Sequence, residues 1–494
     1  VRSRGLGDVY KRQILLLILY GGACMRKTKI ICTLGPAVDS DERITQIINA
    51  GMDCARLNFS HGTHEEQEVR LNRVRRIAGE LNRHIPILLD TKGPEIRLKD
   101  FENGSVVVEK GSLFTFDTDK ETPGTKERIG LTYDKLAKNV EVGTRILVDD
   151  GKIELKVTAI KGSKVICKVV TGGKLSNHKS INIPNVEIPM SYLNDVDKSD
   201  LLFGIEHNVE YIAASFVRCA DDLKKLRKFL KDNGGQDIKV ISKIENGQGI
   251  NNFDEILELS DGIMVARGDM GVEINFEKIP AIQKMMIEKC NREGKIVVTA
   301  TQMLESMTEN PRPTRAEVSD VANAIYDGTT VIMLSGESAA GRHPVEAVRT
   351  MANIAVNAEN TINYYEKYVD SSADMEPNLK NAICASAYNA AKYLDAKAIV
   401  VLTRSGATAN ILSRFHPECP VIAATISERG RNQLNLVWGI TPVAAENLDS
   451  ADKFVEYAVS KAVESRLVKR GDNIVVILAS DLESDDDTMR ICTI

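Results

Sequence analysis

The chain has 494 residues, and its 64 basic and 69 acidic side chains leave a formal net charge of −5. At about 150 residues per domain, this length predicts about three domains. The near-balanced charge, without a basic tail or stripe, argues against nucleic acid as a partner. Nine scattered cysteines without a CxxC pair favour a reducing, cytoplasmic location over a disulfide or zinc framework.

Residues 1–24 carry basic side chains and then a short apolar run, Ile14–Tyr20, which superficially resembles a secretory signal peptide. The run is far too short to span a bilayer, so we expect no membrane partner. Met25 opens directly into the first predicted strand, and the letters VRSRGLGDVYKRQ are typical of translated adapter sequence. We therefore interpret residues 1–24 as a non-native leader, with an export signal as the alternative.

Eight short apolar runs, each typical of a buried strand, follow Met25. They span 28–34, 54–60, 85–91, 211–216, 238–244, 262–267, 295–300 and 331–335. Helical spacing of apolar residues separates most of them, and Thr63 with Glu66 forms a capping-box pair at the start of the first such helix. The pattern predicts an α/β fold, a (β/α)8 TIM barrel whose chemistry lies at the carboxyl ends of its strands. A doubly wound open sheet is the alternative.

The stretch between the third and fourth runs is too long for one crossover, and its pattern changes to alternating β segments. Asp150-Gly151 and Gly172-Gly173 are predicted hairpin turns within it. After Tyr368 a polar linker, VDSSADMEP, precedes further strands at 398–403, 420–425, 439–444 and 473–478. The predicted domains are a catalytic barrel at 25–93 and 190–368, an inserted small β-barrel lid at 94–189, and a C-terminal α/β domain at 372–494.

Two neighbouring strand-like runs end abruptly in charge. Lys243 and Glu245 close the run at 238–244, and Arg267 and Asp269 follow the run at 262–267. Burying unpaired charge in a core is costly, so these residues are expected where parallel strands open onto a shared site. Two carboxylates beside a lysine suit a divalent metal and a substrate phosphate.

Longer motifs resemble the pyruvate kinase family and occur in order from about Met25 to the C-terminus. They are ARLNFSHG at 55–62, LDTKGPEIR at 89–97, ISKIEN at 241–246, ARGDMG at 266–271, ATQMLESM at 300–307, PRPTRAE at 311–317 and MLSGE at 333–337. The resemblance implies transfer of a phosphoryl group from phosphoenolpyruvate to ADP, giving pyruvate and ATP, and a homotetramer. The chain has neither a GxxxxGK[ST] loop nor a kinase-type glycine loop, so the phosphates must be held otherwise.

The resemblance also implies roles for individual residues. Glu245 and Asp269 are similar to the ligands of the divalent metal, Mg²⁺ or Mn²⁺, and Lys243 to the lysine that contacts the transferring phosphoryl group. The other interpretations are a surface acid for each carboxylate, and a structural partner of a nearby acid for Lys243. Main-chain N–H groups around Ala266, Arg267, Gly268 and Asp269 are expected to hold the substrate carboxylate.

Further site residues follow from the same motifs. Arg56 resembles an arginine that grips phosphate oxygens, and with Asn58 and His61 it is expected on the nucleotide side, although a lone histidine is often structural. Thr301 is similar to a threonine near the carbon of enolpyruvate, where it would orient a proton-delivering water. An ordinary helix N-cap is its alternative role.

A K⁺ site is implied by oxygen ligands on two neighbouring strands. Its expected members are Asn58, Ser60, Asp90 and the carbonyl of Thr91. Glu95 follows in the same loop, at a position that is lysine in the K⁺-independent branch of the family. The glutamate therefore predicts dependence on K⁺.

Two departures from the family pattern concern phosphate contacts. Where many relatives have a nucleotide-side lysine, this chain has Val196, and Lys198 is the candidate to compensate. In the C-terminal domain, a loop similar to the family's phosphate-binding effector loop comprises Thr403, Arg404, Ser405, Gly406 and Thr408, with a plain helix cap as the alternative. Its partner segment, Asp481–Asp487, carries five carboxylates that would repel a phosphorylated effector.

Two other functions remain open at this point. A metal-dependent barrel lyase or aldolase acting on pyruvate-type enolates would share the carboxylates and the lysine, but would not need the K⁺ set or the lid. A non-catalytic sugar-phosphate sensor would need only the C-terminal loop, and its barrel-end residues would be expected to have decayed.

Overall fold

A computed structural model of the chain describes residues 26–118, 123–367, 377–446, 451–464, 467–478 and 488–494. The predicted leader at 1–24, the predicted linker apart from Pro377, and the acidic segment at 481–487 lie outside these residues. Within the described ranges, no helix is long and apolar enough to cross a membrane.

Eight parallel strands close into a barrel, which confirms the predicted fold and excludes the open sheet. The strands are Lys29–Thr33, Cys54–Asn58, Ile87–Asp90, Tyr211–Ala214, Lys239–Ile244, Gly262–Ala266, Ile296–Ala300 and Val331–Leu334. Each lies inside its predicted run and ends one or two residues earlier in several cases.

Helices surround the barrel and pack their apolar faces on its outer surface. They are Asp41–Ala50, His64–Glu80, Asp195–Glu206, Ala220–Asp232, Gly247–Asn251, Phe253–Leu259, Arg267–Glu273, Ile279–Arg292, Arg315–Asp327, Gly336–Ala339, Pro344–Glu359 and Tyr364–Lys367. The predicted capping box is present: the Thr63 hydroxyl accepts the Glu66 N–H at 3.4 Å, and the Glu66 carboxylate accepts the Thr63 N–H at 3.2 Å. The helix therefore begins at His64, directly after the loop that carries Ser60 and His61.

The inserted segment leaves the barrel after its third strand, at the carboxyl end. Its strands are Ile96–Arg97, Ser105–Val108, Leu113–Asp117, Arg128–Ile129, Arg145–Val148, Ile153–Lys161, Lys164–Thr171, Gly173–Ser176 and Ser180–Asn182. They form a seven-stranded sheet and a two-stranded sheet around their own apolar core, which includes Phe114, Phe116 and Leu155.

One of the two predicted hairpins in this segment is wrong. Asp150-Gly151 does turn the chain between antiparallel strands, with φ of 54° and 78° at the two residues. Gly172-Gly173 instead joins two sheets, because Lys164–Thr171 pairs with Ile153–Lys161 whereas Gly173–Ser176 pairs with Ser105–Val108. A Cβ on Gly172 would lie 2.6 Å from the Val108 oxygen, so this glycine serves close backbone approach rather than a tight turn.

The C-terminal domain is a five-stranded sheet with helices Leu379–Tyr393, Ala407–Arg414, Glu428–Leu434 and Ala451–Glu464. Strands Ala398–Leu402, Val421–Thr425, Ile440–Ala444 and Asn473–Leu478 are parallel and were predicted. An antiparallel edge strand, Thr488–Thr493, was not predicted.

This domain packs against the amino-terminal end of the barrel. Lys29 Nζ donates to the Ile440 carbonyl at 2.7 Å, and the Tyr211 hydroxyl donates to the Gln433 carbonyl at 2.7 Å. Side chains from the barrel interior and from the C-terminal sheet belong to one buried cluster. The amino-terminal end is thus closed, and the carboxyl end remains open toward the inserted domain.

Candidate active site

Strand register brings the predicted site residues together at the carboxyl end of the barrel. Asn58 is aligned with Asp90, Asp90 with Ala213, and Ala214 with Ser242. Every second side chain of each strand therefore points into the same opening. Lys243 and Glu245, two residues apart, are both buried there.

Lys243 lies at the centre of this group. Its Nζ is 2.9 Å from Glu245 Oε1 and 3.1 Å from Asp90 Oδ1, and it donates to the Ser215 hydroxyl at 2.7 Å. Burial alone would lower the pKa of Lys243, but Asp90, Glu245 and Asp269 outweigh it and shift the pKa upward. The ammonium group is therefore fixed and permanently charged.

Asp90 connects Lys243 to Arg56. Its Oδ2 accepts Arg56 Nε at 2.6 Å, and Arg56 Nη1 donates to the Thr33 hydroxyl at 2.8 Å. Burial would raise the pKa of Asp90, yet the charges of Arg56 and Lys243 prevail and hold it below the usual value. Asp90 thus remains ionised and orients two cations that could face a phosphate.

Glu245 directly follows the strand Lys239–Ile244, and Asp269 lies in the first turn of helix Arg267–Glu273, which follows the neighbouring strand. Glu245 Oε2 accepts the Phe216 N–H at 2.5 Å. Burial, reinforced by the charge of Asp269, raises the pKa of Glu245 to about 7 despite the nearby Lys243. A cation bound between the two would relieve this repulsion, and two hard oxygen donors suit a Mg²⁺ ion that takes its other ligands from water and substrate. No group of three or more Asp, Glu, His or Cys side chains suited to a metal occurs in the described ranges.

The segment from Ala266 to Asp269 faces Thr301 across neighbouring strand ends. The Gly268 N–H donates to the Thr301 hydroxyl at 2.8 Å, and Thr301 has a φ of 67°, an unfavourable value for a β-branched residue. No helix starts at Thr301, so the N-cap alternative for its own following segment is wrong. The Arg267 side chain pairs with Asp320 at 2.8 Å, which leaves only its main chain facing the site.

The expected K⁺ ligands lie close together, and several already have hydrogen-bond partners. Asn58 Oδ1 accepts the Ser60 N–H at 3.1 Å, and the Thr91 carbonyl accepts the Ser215 hydroxyl at 2.7 Å. Carbonyl and carboxylate oxygens keep a second lone pair for a cation. Glu95 pairs with Arg97 at 2.5 Å, and burial raises its pKa.

A cavity of about 410 Å³ lies beside the loop that carries His61. Its walls include His64, Lys92 and Val196, and His64 Nε2 is 2.6 Å from the buried Asp200. Lys198, expected to compensate for Val196, pairs instead with Asp195 at 2.9 Å and does not line this cavity. Lys92 does line it, and sequence reasoning missed this residue although it lies within the LDTKGPEIR motif.

A second cavity, of about 330 Å³, lies between the barrel and the inserted domain. Phe216 and Arg218 of the barrel line it together with Glu95, Asn182 and Ile183 of the inserted domain. Ser215, which precedes Phe216, directly follows the strand Tyr211–Ala214. Its bonds to Lys243, Asp90 and Thr91 make it a central link of the site.

In the C-terminal domain, the expected effector loop precedes helix Ala407–Arg414. The Thr403 hydroxyl accepts the Gly406 N–H at 2.9 Å, and the Ser405 hydroxyl accepts the Ala407 N–H at 3.3 Å. Arg404 and Ser405 are exposed, whereas Thr403 and Thr408 are buried. These bonds order the loop before the helix, whose N-cap residue is Gly406 and has no side-chain cap bond, and the exposed Arg404 and Ser405 are accessible to an anion.

The fold and the site together define a (β/α)8-barrel enzyme with a compact array of buried carboxylates and cations under a second domain. The family models "Pyruvate kinase, barrel domain" and "Pyruvate kinase, alpha/beta domain" match residues 25–348 and 381–492.

Individual relatives agree with this match. The chain is 47% identical to the pyruvate kinase of Clostridium acetobutylicum, over 92% of this chain and 96% of that protein. It is 48% identical to the pyruvate kinase of Bacillus licheniformis, over 92% of this chain and 77% of that protein. The crystal structure of a pyruvate kinase from Cryptosporidium parvum superposes with a TM-score of 0.90 at 37% identity, covering 95% of this chain and 96% of that one. The chain therefore belongs to the pyruvate kinase family and is a phosphotransferase.

Proposed function

We propose that the chain transfers the phosphoryl group of phosphoenolpyruvate to ADP, giving pyruvate and ATP, with Mg²⁺ or Mn²⁺ and K⁺. The observation that carries this proposal is the buried position of Lys243, 2.9 Å from Glu245 and 3.1 Å from Asp90. A fixed ammonium beside a carboxylate pair suits a reaction in which negative charge moves between oxygen atoms.

Glu245 and Asp269 are the residues that would hold the divalent metal. When bound, the metal would neutralise charge on the transferring group. Lys243 would contact the same group, and its hydrogen bonds to Ser215 and Asp90 hold it in place before substrate arrives. Arg56, oriented by Asp90 and Thr33, would bind phosphate oxygens from the nucleotide side with Asn58 and His61 nearby.

The main chain at Ala266–Asp269 would receive the substrate carboxylate. The N–H groups of a helix's first turn lack intrahelical acceptors, and here the Gly268 N–H already donates to Thr301. The other N–H groups of the segment are the better candidates. Thr301 would then lie beside the carbon that is protonated after phosphoryl transfer, and its hydroxyl would orient the water that delivers the proton.

The oxygen set Asn58, Ser60, Asp90 and Thr91 would hold K⁺. Asp90 already bonds Arg56 and Lys243, so a cation at this position would act on the same carboxylate that orients both phosphate-binding side chains. Glu95 would add a second negative charge nearby, compensated in part by Arg97.

Three further properties complete the proposal. The exposed part of the Thr403–Thr408 loop would bind a phosphorylated effector, the chain would assemble as a homotetramer, and it would act in the cytoplasm. None of the eight cysteines in the described residues is in a disulfide, which supports a reducing location.

The test is turnover of phosphoenolpyruvate with ADP, coupled to lactate dehydrogenase, with and without Mg²⁺ and K⁺. We expect NADH oxidation that requires ADP and both cations. Pyruvate released without ADP would favour the lyase or aldolase alternative instead.

A further inference from the structure

A cavity that the proposed function does not use lies at the amino-terminal end of the barrel, where the C-terminal domain packs. Its volume is about 520 Å³, within the range of about 300–1,000 Å³ for small-molecule pockets. The end of helix His64–Glu80 and the following turn form one wall, and helix Glu428–Leu434 forms the other. We call it the interdomain cavity; the residues used below are Arg75, Asn82, Arg83, His84, Arg429 and Arg431.

Positive charge exceeds negative charge in this cavity. Four arginines line it, against the two carboxylates of Glu210 and Glu428. Glu210 is already committed to the domain contact: it accepts the Ile87 N–H at 2.8 Å and the Asn432 amide at 3.0 Å. Glu210 Oε1 also lies 3.9 Å from Arg75, which donates to the Asn208 carbonyl at 2.9 Å, so four arginines face two carboxylates and an excess of two positive charges remains.

Two guanidinium groups have donors without acceptors. Arg83 is exposed to the cavity and has no hydrogen bond or ion pair from its side chain to any described residue. Arg431 donates from Nη1 to the carbonyls of Thr425 and Ile426, each at 3.2 Å, whereas its Nε is buried without an acceptor among the described atoms. Buried donors are normally paired, because an unpaired one costs about 1–3 kcal/mol. The exposed guanidinium of Arg83 is therefore the donor group that an anion in the cavity would meet first.

The end of helix His64–Glu80 does not oppose such an anion. Its last carbonyls would repel negative charge, but three of them accept the N–H groups of Leu81, Asn82 and Arg83 at 3.0, 3.1 and 2.8 Å. Asn82 itself adopts a φ of 50°, which turns the chain so that Arg83 and His84 line the cavity.

We propose that the interdomain cavity binds a small phosphate monoester. Guanidinium groups recognise phosphate with paired N–H donors, and the dianion matches the excess of arginines. The bound anion would bridge Arg75 and Arg83 of the barrel to Arg429 and Arg431 of the C-terminal domain. Because helix His64–Glu80 begins directly after the loop with Asn58 and His61, this site lies on the element that joins the C-terminal domain to the catalytic end. The site is separate from the Thr403–Thr408 loop and does not depend on the function proposed above.

The experiment is calorimetric titration of the full chain with glycerol 2-phosphate, in buffer without divalent metal. Arg83→Gln and Arg429→Gln are compared with the unmodified chain and with two control variants. The first control is Arg43→Gln, which changes an exposed arginine on helix Asp41–Ala50 whose side chain bonds Gln46. The second control is Ser405→Glu, which blocks the effector loop. We expect affinity to fall by about tenfold or more in each of the two cavity variants, and to stay unchanged in the other two. Turnover with phosphoenolpyruvate and ADP should match the unmodified chain in both cavity variants, because neither residue is near the catalytic end.

Three results with glycerol 2-phosphate would overturn the proposal. They are an affinity of Arg83→Gln and Arg429→Gln equal to that of the unmodified chain, loss of binding in Ser405→Glu, and absence of saturable binding to the unmodified chain. Succinate serves as the second arm: if it binds as tightly as the phosphate ester, the site selects charge alone and its assignment to phosphate is wrong. Thermal unfolding of Arg83→Gln controls for folding, and no large change is expected because the side chain makes no bond to the described residues.

Discussion

Replacing Lys243 with methionine should abolish phosphoryl transfer while substrate binding persists. The side chain keeps its length and apolar stem but loses the charge that faces Asp90 and Glu245. Removing one preorganised electrostatic partner of a transition state costs about a hundredfold to a thousandfold in kcat. We expect at least this loss, since the ammonium is buried and its field is poorly screened.

The same change has a calculable effect on stability. Removing one partner of a buried ion pair costs about 3–5 kcal/mol when the remaining charge has no alternative. Here both carboxylates have one: Asp90 keeps Arg56, and Glu245, whose pKa is already about 7, can take up a proton. We therefore expect the free energy of unfolding to fall by about 1–3 kcal/mol, and the variant to remain folded at room temperature.

The assay measures kcat and KM in the lactate-dehydrogenase-coupled reaction, with phosphoenolpyruvate affinity from calorimetry and stability from urea unfolding. Lys239→Met is the matched control, because Lys239 begins the same strand and pairs with Asp261 at 3.2 Å at its opposite end. That half-exposed pair is worth about 1 kcal/mol or less, and the control should retain full turnover. Near-normal turnover in Lys243→Met would refute the role, and an equal loss of affinity and turnover would show that Lys243 binds the ground state as well.

Three more predictions concern the cations, the proton and the assembly. Glu95→Lys should lower the dependence on K⁺ at some loss of maximal rate, since a lysine ammonium can replace the ion; full activity of the unmodified chain with tetraalkylammonium chloride at constant ionic strength would contradict this. Thr301→Ala should lower kcat by about tenfold or more and Thr301→Ser by less, because serine keeps the hydroxyl that contacts Gly268; equal rates in the two variants would exclude the hydroxyl. Light scattering should report a homotetramer at micromolar concentration, and a monomer would count against it.

The sequence predicts the barrel well because each strand is a local apolar run. Its eight runs contain the eight observed strands, and the spacing of two between Lys243 and Glu245 correctly predicts that both side chains share one opening. The contacts between strands cannot be predicted from the individual motifs. Ser215 links two motifs, at 89–97 and 241–246, only because the third, fourth and fifth strands are neighbours, a fact that neither motif contains.

The two sequence predictions that fail on strand pairing have a common physical cause. Gly172-Gly173 has the composition of a hairpin turn, but the partner of the following strand is Ser105–Val108, far away in sequence. Thr488–Thr493 becomes a strand because it can pair with the open edge at Asn473–Leu478, and its own pattern is weak. Lys198 was favoured by its sequence distance from Val196, yet a helical neighbour, Asp195, holds it. In the first two cases tertiary pairing decides what composition leaves open, whereas Lys198 is held by a local pair three residues away in the same helix.

Asp90 explains why the proposed cation and phosphate sites should act together. One oxygen binds Arg56 and the other binds Lys243, so the carboxylate fixes two cations that the substrates would share. Without substrate, Asp90, Glu245 and Asp269 are opposed chiefly by these two cations, and Glu245 responds with a pKa of about 7. Each bound cation would reduce the repulsion among the carboxylates, and each bound phosphate would reduce the repulsion between the positive groups. Under the proposed function, cations and phosphates would therefore favour each other's binding.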